Sequence, residues 1–179
     1  MENTKFWEDA ARYGAYVGLA QAAFTELEAW HQSGLLSLLH IVVYVALLTV
    51  FTRRRAKLYG GHNGYSYGKC LKFIFFMSLF AGVMMGAYTI AASNFIRPEW
   101  YRQLIGNTVD TLAATKLYTQ QMLKQVQGLY EKMFFSPIWV VVTCVCSQVV
   151  SGTFFGLFIS AFTRREAPLY GGNDEAEEL

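Results

Sequence analysis

The chain has 179 residues and a formal net charge of +2, and only 16% of its residues are charged, against about 25% in ordinary soluble domains. That length allows one domain or two small ones, and the scarcity of charge argues against a water-facing globule. The small positive balance gives no footprint for nucleic acid, because the basic residues gather beside apolar runs.

No Asp, Glu, Lys or Arg lies between Glu28 and Arg53, between Lys72 and Arg97, or between Lys132 and Arg164. Each gap exceeds the roughly 20 residues that cross about 30 Å of hydrocarbon as a helix. None shows the polar stripe of a soluble amphipathic helix. The expected fold is therefore all-α, an integral membrane bundle of four transmembrane helices.

In chain order, "MENTKFWEDAARYG" lacks a basic n-region and a small-residue cleavage site, so a cleaved signal peptide is not expected. Glu2 in place of glycine excludes myristoylation. The first helix is expected from about Ala10 to Trp30 and is the least apolar, ending near Glu26, Glu28 and His31. A second follows from about Ser33 to Thr52 and forms a hairpin with it. After a loop rich in arginine, glycine and tyrosine, a third helix is expected from about Cys70 to Phe95. Residues from about 98 to 136 mix apolar with polar residues and read as one or two amphipathic helices, broken near Gly106–Thr108. The fourth membrane helix is expected over Pro137–Thr163, and residues 173–179 form an acidic tail.

Orientation follows from charge. Between Phe51 and Phe73 there are six Lys/Arg and no acid, which marks a cytoplasmic loop. Four crossings then put both termini in the cytoplasm and the 98–136 segment outside. Trp7, Trp30, Tyr59, Trp100, Tyr101, Phe134 and Trp139 fall near the expected interfaces.

The chain also repeats itself. "FTRRRAKLYGG" begins at Phe51 and "FTRREAPLYGG" at Phe162, with nine of eleven positions matching at a separation of 111 residues. "GAYVG" (Gly14, Gly18) and "GVMMG" (Gly82, Gly86) echo one another in the helices before each copy. The reading is two parallel-repeat hairpins, residues 1–61 and 62–172, the second carrying the outside insertion. Each "LYGG" is expected to stop a helix, with its glycines free to take positive φ.

Gly14/Gly18, Gly82/Gly86 and Gly152/Gly156 have the four-residue spacing that lets helix backbones approach, within the bundle or across a homodimer. Arg53, Arg54, Arg55, Lys57, Arg164 and Arg165 anchor helix ends and are candidates for contact with lipid head groups or a partner. His40 is the ionisable residue deep in a helix, with Glu26 or Glu28 as possible partners and Ser151 at the matching offset of the second copy. Cys70, Cys144 and Cys146 read as packing residues rather than as a disulfide or metal set. The loop around Gly68–Lys69 fails as a phosphate loop, because Asn63 and Cys70 stand where glycine and Ser/Thr are required. No nucleophile–base, His-Glu-x-x-His or paired-carboxylate motif occurs, and no catalytic residue, metal or cofactor is expected.

"KFWEDAARYG", "FTRRRAKLYGG…GYSYGKCLKFI", "GAYTIAASNFI" and "GLFISAFTRRE" together resemble the domain of unknown function 4199 family, integral membrane proteins mainly of Bacteroidota. The resemblance implies a small inner-membrane protein and supplies no activity, so no functional residue is carried over. A non-enzymatic scaffold or partner subunit of an envelope complex is the first expectation, with membrane lipids and a protein partner or second copy as its contacts. The alternatives are a small transporter or flippase, and an auxiliary subunit of a membrane glycosyltransferase handling lipid-linked sugar.

Overall fold

A computed structural model describes residues 2–31, 33–60 and 64–165. The described residues form α1 (Glu2–Trp30), α2 (Gly34–Tyr59), α3 (Tyr67–Ala91), α4 (Pro98–Ala114), α5 (Gln120–Phe135) and α6 (Pro137–Thr163). A π-helical turn, Ala92–Ile96, ends α3. The architecture is all-α, and among the described residues three stretches are long and apolar enough to cross a membrane: Gly34–Tyr59, Tyr67–Ile96 and Pro137–Thr163. Helix α1 is not among them. It carries Asp9 and Arg12 near one end and Glu26 and Glu28 near the other.

Helix α3 is the central element. It packs along α6 and α1, while α2 lies against α1 and α6. Contacts fix the directions. Tyr13 stacks on Phe51 with centroids 4.6 Å apart, and Phe24 stacks on His40 at 5.4 Å, so α1 and α2 are antiparallel. Phe6 meets Phe73 and Phe76 while Glu26 reaches Tyr88, so α1 and α3 are parallel. Helices α3 and α6 are antiparallel, which leaves the carboxyl ends of α2 and α6 side by side.

In lipid, apolar burial between helices gains little, and close backbone approach supplies the packing energy. A methyl group at Gly14 would come within 2.6 Å of the Met77 carbonyl, and one at Gly82 within 2.6 Å of the Val145 Cα. One at Gly18 would meet Met84 Cβ at 2.6 Å, and those at Gly86 and Gly156 would meet Val141 Cα and Ile74 Cγ2 at 3.0 Å. Gly152 lies against the buried side chains of Ser78 and Tyr44. All six glycines thus face another helix of the same chain. The core they enclose includes Ala10, Tyr13, Val17, Tyr44, Leu48, Phe73, Ile74, Met77, Ala81 and Ile159. Gln21 and Gln148 hydrogen-bond across it at 2.6 Å.

Several boundaries depart from the sequence reading. Helix α1 begins at Glu2, and α2 runs on to Tyr59. Gly60 caps α2 at φ −92°, so the turn uses no left-handed glycine there. What Gly60 supplies is clearance, because a methyl group would meet the Tyr65 Cβ at 3.1 Å and crowd the Ala56 carbonyl. The second "LYGG" and the acidic tail lie outside the described residues. Helix α4 continues unbroken through Gly106–Thr108. The break falls instead at residues 115–119, where Lys116 takes φ 57° and Thr119 caps α5 by accepting from the Met122 N–H at 3.3 Å. Pro137 begins α6 and Thr163 ends it, as the sequence predicts.

Candidate interaction sites at the two ends of the bundle

The two FTRR segments end α2 and α6 at one end of the bundle, which we call the basic end. Beyond them the chain strands touch: Tyr65 and Arg165 exchange backbone hydrogen bonds of 2.7 and 2.9 Å. A cleft of about 250 Å³ lies between the helix ends, with Arg53, Lys57, Arg164 and Arg165 around it and Phe162 and Thr163 among its walls. Arg53 and Lys57 are exposed, and none of the ion pairs among the described residues engages them. On the other side of these two residues a groove of about 410 Å³ runs over Val50, Arg54 and Leu58.

Arg55 does not join this cationic group. It lies on the buried stripe Tyr44, Leu48, Thr52, Arg55 and Ala56 of α2, which repeats at helical period. Its guanidinium pairs with Asp9 of α1 and donates to the Tyr65 hydroxyl at 3.2 Å. The rings of Phe6, Tyr59 and Phe73 surround it, with centroids 5.0, 4.4 and 4.9 Å away. Only 4% of its side chain is exposed. A buried charge is tolerable when paired and hydrogen-bonded, and planar guanidinium also suits stacking on rings. The same packing removes Tyr65 from water and pushes its phenol above the ordinary tyrosine range, which the neighbouring Arg55 partly offsets. Arg55 is thus a clasp joining α1, α2, α3 and the loop before α3.

At the opposite end, α1 is tied again. Glu26 pairs with Arg97 at 2.6 Å and accepts from the Tyr88 hydroxyl. Glu28 meets His40 Nδ1 at 3.2 Å. The π turn lets the Arg97 N–H reach back to the Ala92 carbonyl at 2.8 Å and precedes Arg97's return toward Glu26. Tyr101 packs nearby, its phenol raised by burial and held back by Arg97. His40 therefore sits with Glu28 and Phe24. Ser151 lines a separate groove on α6 with Thr143, Cys146 and Ser147. The structure does not bring these two candidates together.

The cysteines are also apart: Cys70 is buried at the basic end, Cys144 contacts Thr89 at 3.8 Å, and Cys146 is exposed on α6. Among the described residues no group of three His, Cys, Asp or Glu side chains could hold a metal ion.

From this second end projects an arm, the antiparallel pair α4 and α5. Tyr101 meets Phe134 with centroids 5.5 Å apart, and Arg102 lies 5.9 Å over Phe135, so the base of the arm is fixed. Ile105 of α4 and Leu123 of α5 are buried. Yet Leu117, Met122 and Leu129 are 81%, 51% and 56% exposed. Met122, Val126, Leu129 and Met133 share one face of α5 by spacing. The amphipathic character of this segment is legible in the sequence, whereas the exposure of Met122 and Leu129 is not, because apolar positions on both faces of α5 look alike in a pattern.

No curated protein and no solved structure matches the chain. The family model described as protein of unknown function (DUF4199) matches residues 12–165, and the chain belongs to that family.

Proposed function

We propose that the chain is a non-enzymatic subunit or scaffold of an assembly in a bacterial inner membrane, and that the α4–α5 arm is its docking element. The observation that carries this reading is the α5 row Met122, Val126, Leu129 and Met133, in which Met122 and Leu129 are exposed and Val126 and Met133 are half-buried. Neither α4, with 17 residues, nor α5, with 16, is among the helices long and apolar enough to cross a membrane. A row containing Met122 and Leu129 on such an element calls for another cover. Methionine-rich faces adapt to partner shapes. The partner is expected to present an apolar groove to one helix face.

In this reading the chain makes four crossings as two hairpins, with the basic end in the cytoplasm and the arm outside. Support for a fourth crossing comes from α1 itself. Its 29 residues span about 43 Å at 1.5 Å per residue. Asp9 is paired with Arg55 at the basic end and Glu26 with Arg97 at the arm end, where Glu28 also meets His40, so these three carboxylates have partners at both depths. The positive-inside bias of the loop after α2 sets the direction.

Mass measurement of the full chain, extracted from its native membrane in mild detergent, tests the proposal. A stoichiometric partner or second copy is expected, and Met122→Glu/Leu129→Glu should release it without changing thermal stability. A monomer without a partner contradicts the scaffold role. Retention of the partner by the double variant moves docking off the arm.

A further inference from the structure

We infer that the cleft between the basic ends of α2 and α6 holds the phosphate of an anionic membrane lipid, with the lipid's chain lying over the adjoining apolar groove. Three observations converge on this, and none depends on the arm.

First, four cations from two different helix ends meet around one cleft: Arg53 and Lys57 from α2, Arg164 and Arg165 from the end of α6. They come from segments more than a hundred residues apart, and the Tyr65–Arg165 backbone pairing fixes the two ends together. A phosphate bears two or three acceptor oxygens, and guanidinium forks engage these in pairs. Second, Arg55, two residues from Arg53 on α2, is turned inward and paired with Asp9. The described ion pairs leave Arg53 and Lys57 without a carboxylate, so the cations of α2 are sorted by position into one buried pair and two exposed charges. Third, Arg53 and Lys57 also border the second groove, whose Val50 and Leu58 are 57% and 65% exposed. Phe162, 80% exposed, stands beside the cleft on α6. A polar cleft that opens past two cations onto exposed apolar side chains has the division of an anionic lipid, head group in one part and chain in the other. A free phosphate would use only the first part.

The test uses the full chain in detergent micelles, with lipid retention read by native mass spectrometry for phosphatidate, for phosphatidylcholine, and for inorganic phosphate and pyrophosphate. Phosphatidate should be retained in preference to phosphatidylcholine. Arg53→Gln/Lys57→Gln and Arg164→Gln/Arg165→Gln should each lower its retention about tenfold or more. Lys5→Gln/Lys69→Gln removes the same charge from exposed positions outside the cleft and should change retention less than about twofold. Thermal unfolding confirms that each variant folds, and Arg53→Lys/Arg165→Lys, which keeps both charges but not the guanidinium forks, should retain more phosphatidate than Arg53→Gln/Lys57→Gln and less than the unaltered chain. Equal losses in the cleft and control variants would reduce the effect to general surface charge and overturn the inference. Equal retention of pyrophosphate and phosphatidate would overturn the lipid assignment. No preference for phosphatidate over phosphatidylcholine would overturn the site.

Discussion

Replacing Asp9 by asparagine keeps the side-chain shape and removes one charge from the clasp at the basic end. Arg55 would then keep the Tyr65 hydroxyl and its three rings but lose its counter-ion. Breaking a buried pair by removing one partner costs about 3–5 kcal/mol. Stacking on aromatic rings recovers part of such a loss, about 0.5–2 kcal/mol for a well-placed cation. With Asp9 itself 23% exposed, the lower end of the range applies, about 3 kcal/mol. For a chain of this size that corresponds to a fall in midpoint of about 6–12 °C. Arg55→Leu should cost a similar amount, because it strands Asp9 and empties the space between the rings. The double variant should cost much less than the sum, since neither charge is then left without its partner. Reversible unfolding in mixed micelles, followed by tryptophan fluorescence, gives all three values. A cost below about 0.5 kcal/mol for Asp9→Asn, or strict additivity in the double variant, would refute the clasp.

Other outcomes follow from the same contacts. Gly82→Ala should destabilise by about 1–3 kcal/mol through overlap with the Val145 backbone. Gly106→Ala meets nothing within 4 Å and should stabilise by up to about 1 kcal/mol on helix propensity alone; thermal midpoints of the two variants check this. Gln21→Leu should cost about 0.6–1.7 kcal/mol by stranding Gln148, and Gln21→Leu/Gln148→Leu should restore part of it. Burial raises the Tyr65 phenol above its ordinary value, so the folded state holds that proton more tightly than the unfolded chain. Its contribution is present below about pH 10, the ordinary tyrosine value, and is lost as pH rises through the raised one. Tyr65→Phe should flatten that alkaline loss in a pH series of midpoints.

The sequence made some of this legible and left the rest hidden for physical reasons. The bounds of α6 could be read because Pro137 opens the helix and an arginine pair follows Thr163. The start of α1 is hidden in the sequence, since its first turns carry Lys5, Glu8 and Asp9 and look soluble until Asp9 finds Arg55. The arm's break is hard to place from sequence because Gly106, a helix-breaking residue type, sits within a helix at open space. The signal for the true break was Thr119, a residue type suited to capping, three positions before the N–H it accepts from. Arg53, Arg54 and Arg55 were indistinguishable as neighbours in a basic run. Only the stripe Tyr44, Leu48, Thr52, Arg55 separates them, and an apolar sequence all round α2 conceals its period. The glycine pairs could be seen, whereas which helix each would face was not written in their spacing.

The four-crossing arrangement is tested most directly by labelling intact cells with a membrane-impermeant maleimide. Single cysteines placed at the exposed positions Lys5, Ser33, Ser66 and Gly106, in a chain whose native cysteines are replaced by alanine, sample both ends of α1, the basic end and the arm. Ser33→Cys and Gly106→Cys should react from outside, and Lys5→Cys and Ser66→Cys only after permeabilisation. Reaction of positions 5 and 33 from the same side would show that α1 does not cross, and reaction of positions 66 and 106 from the same side would contradict the placement of the arm opposite the basic end.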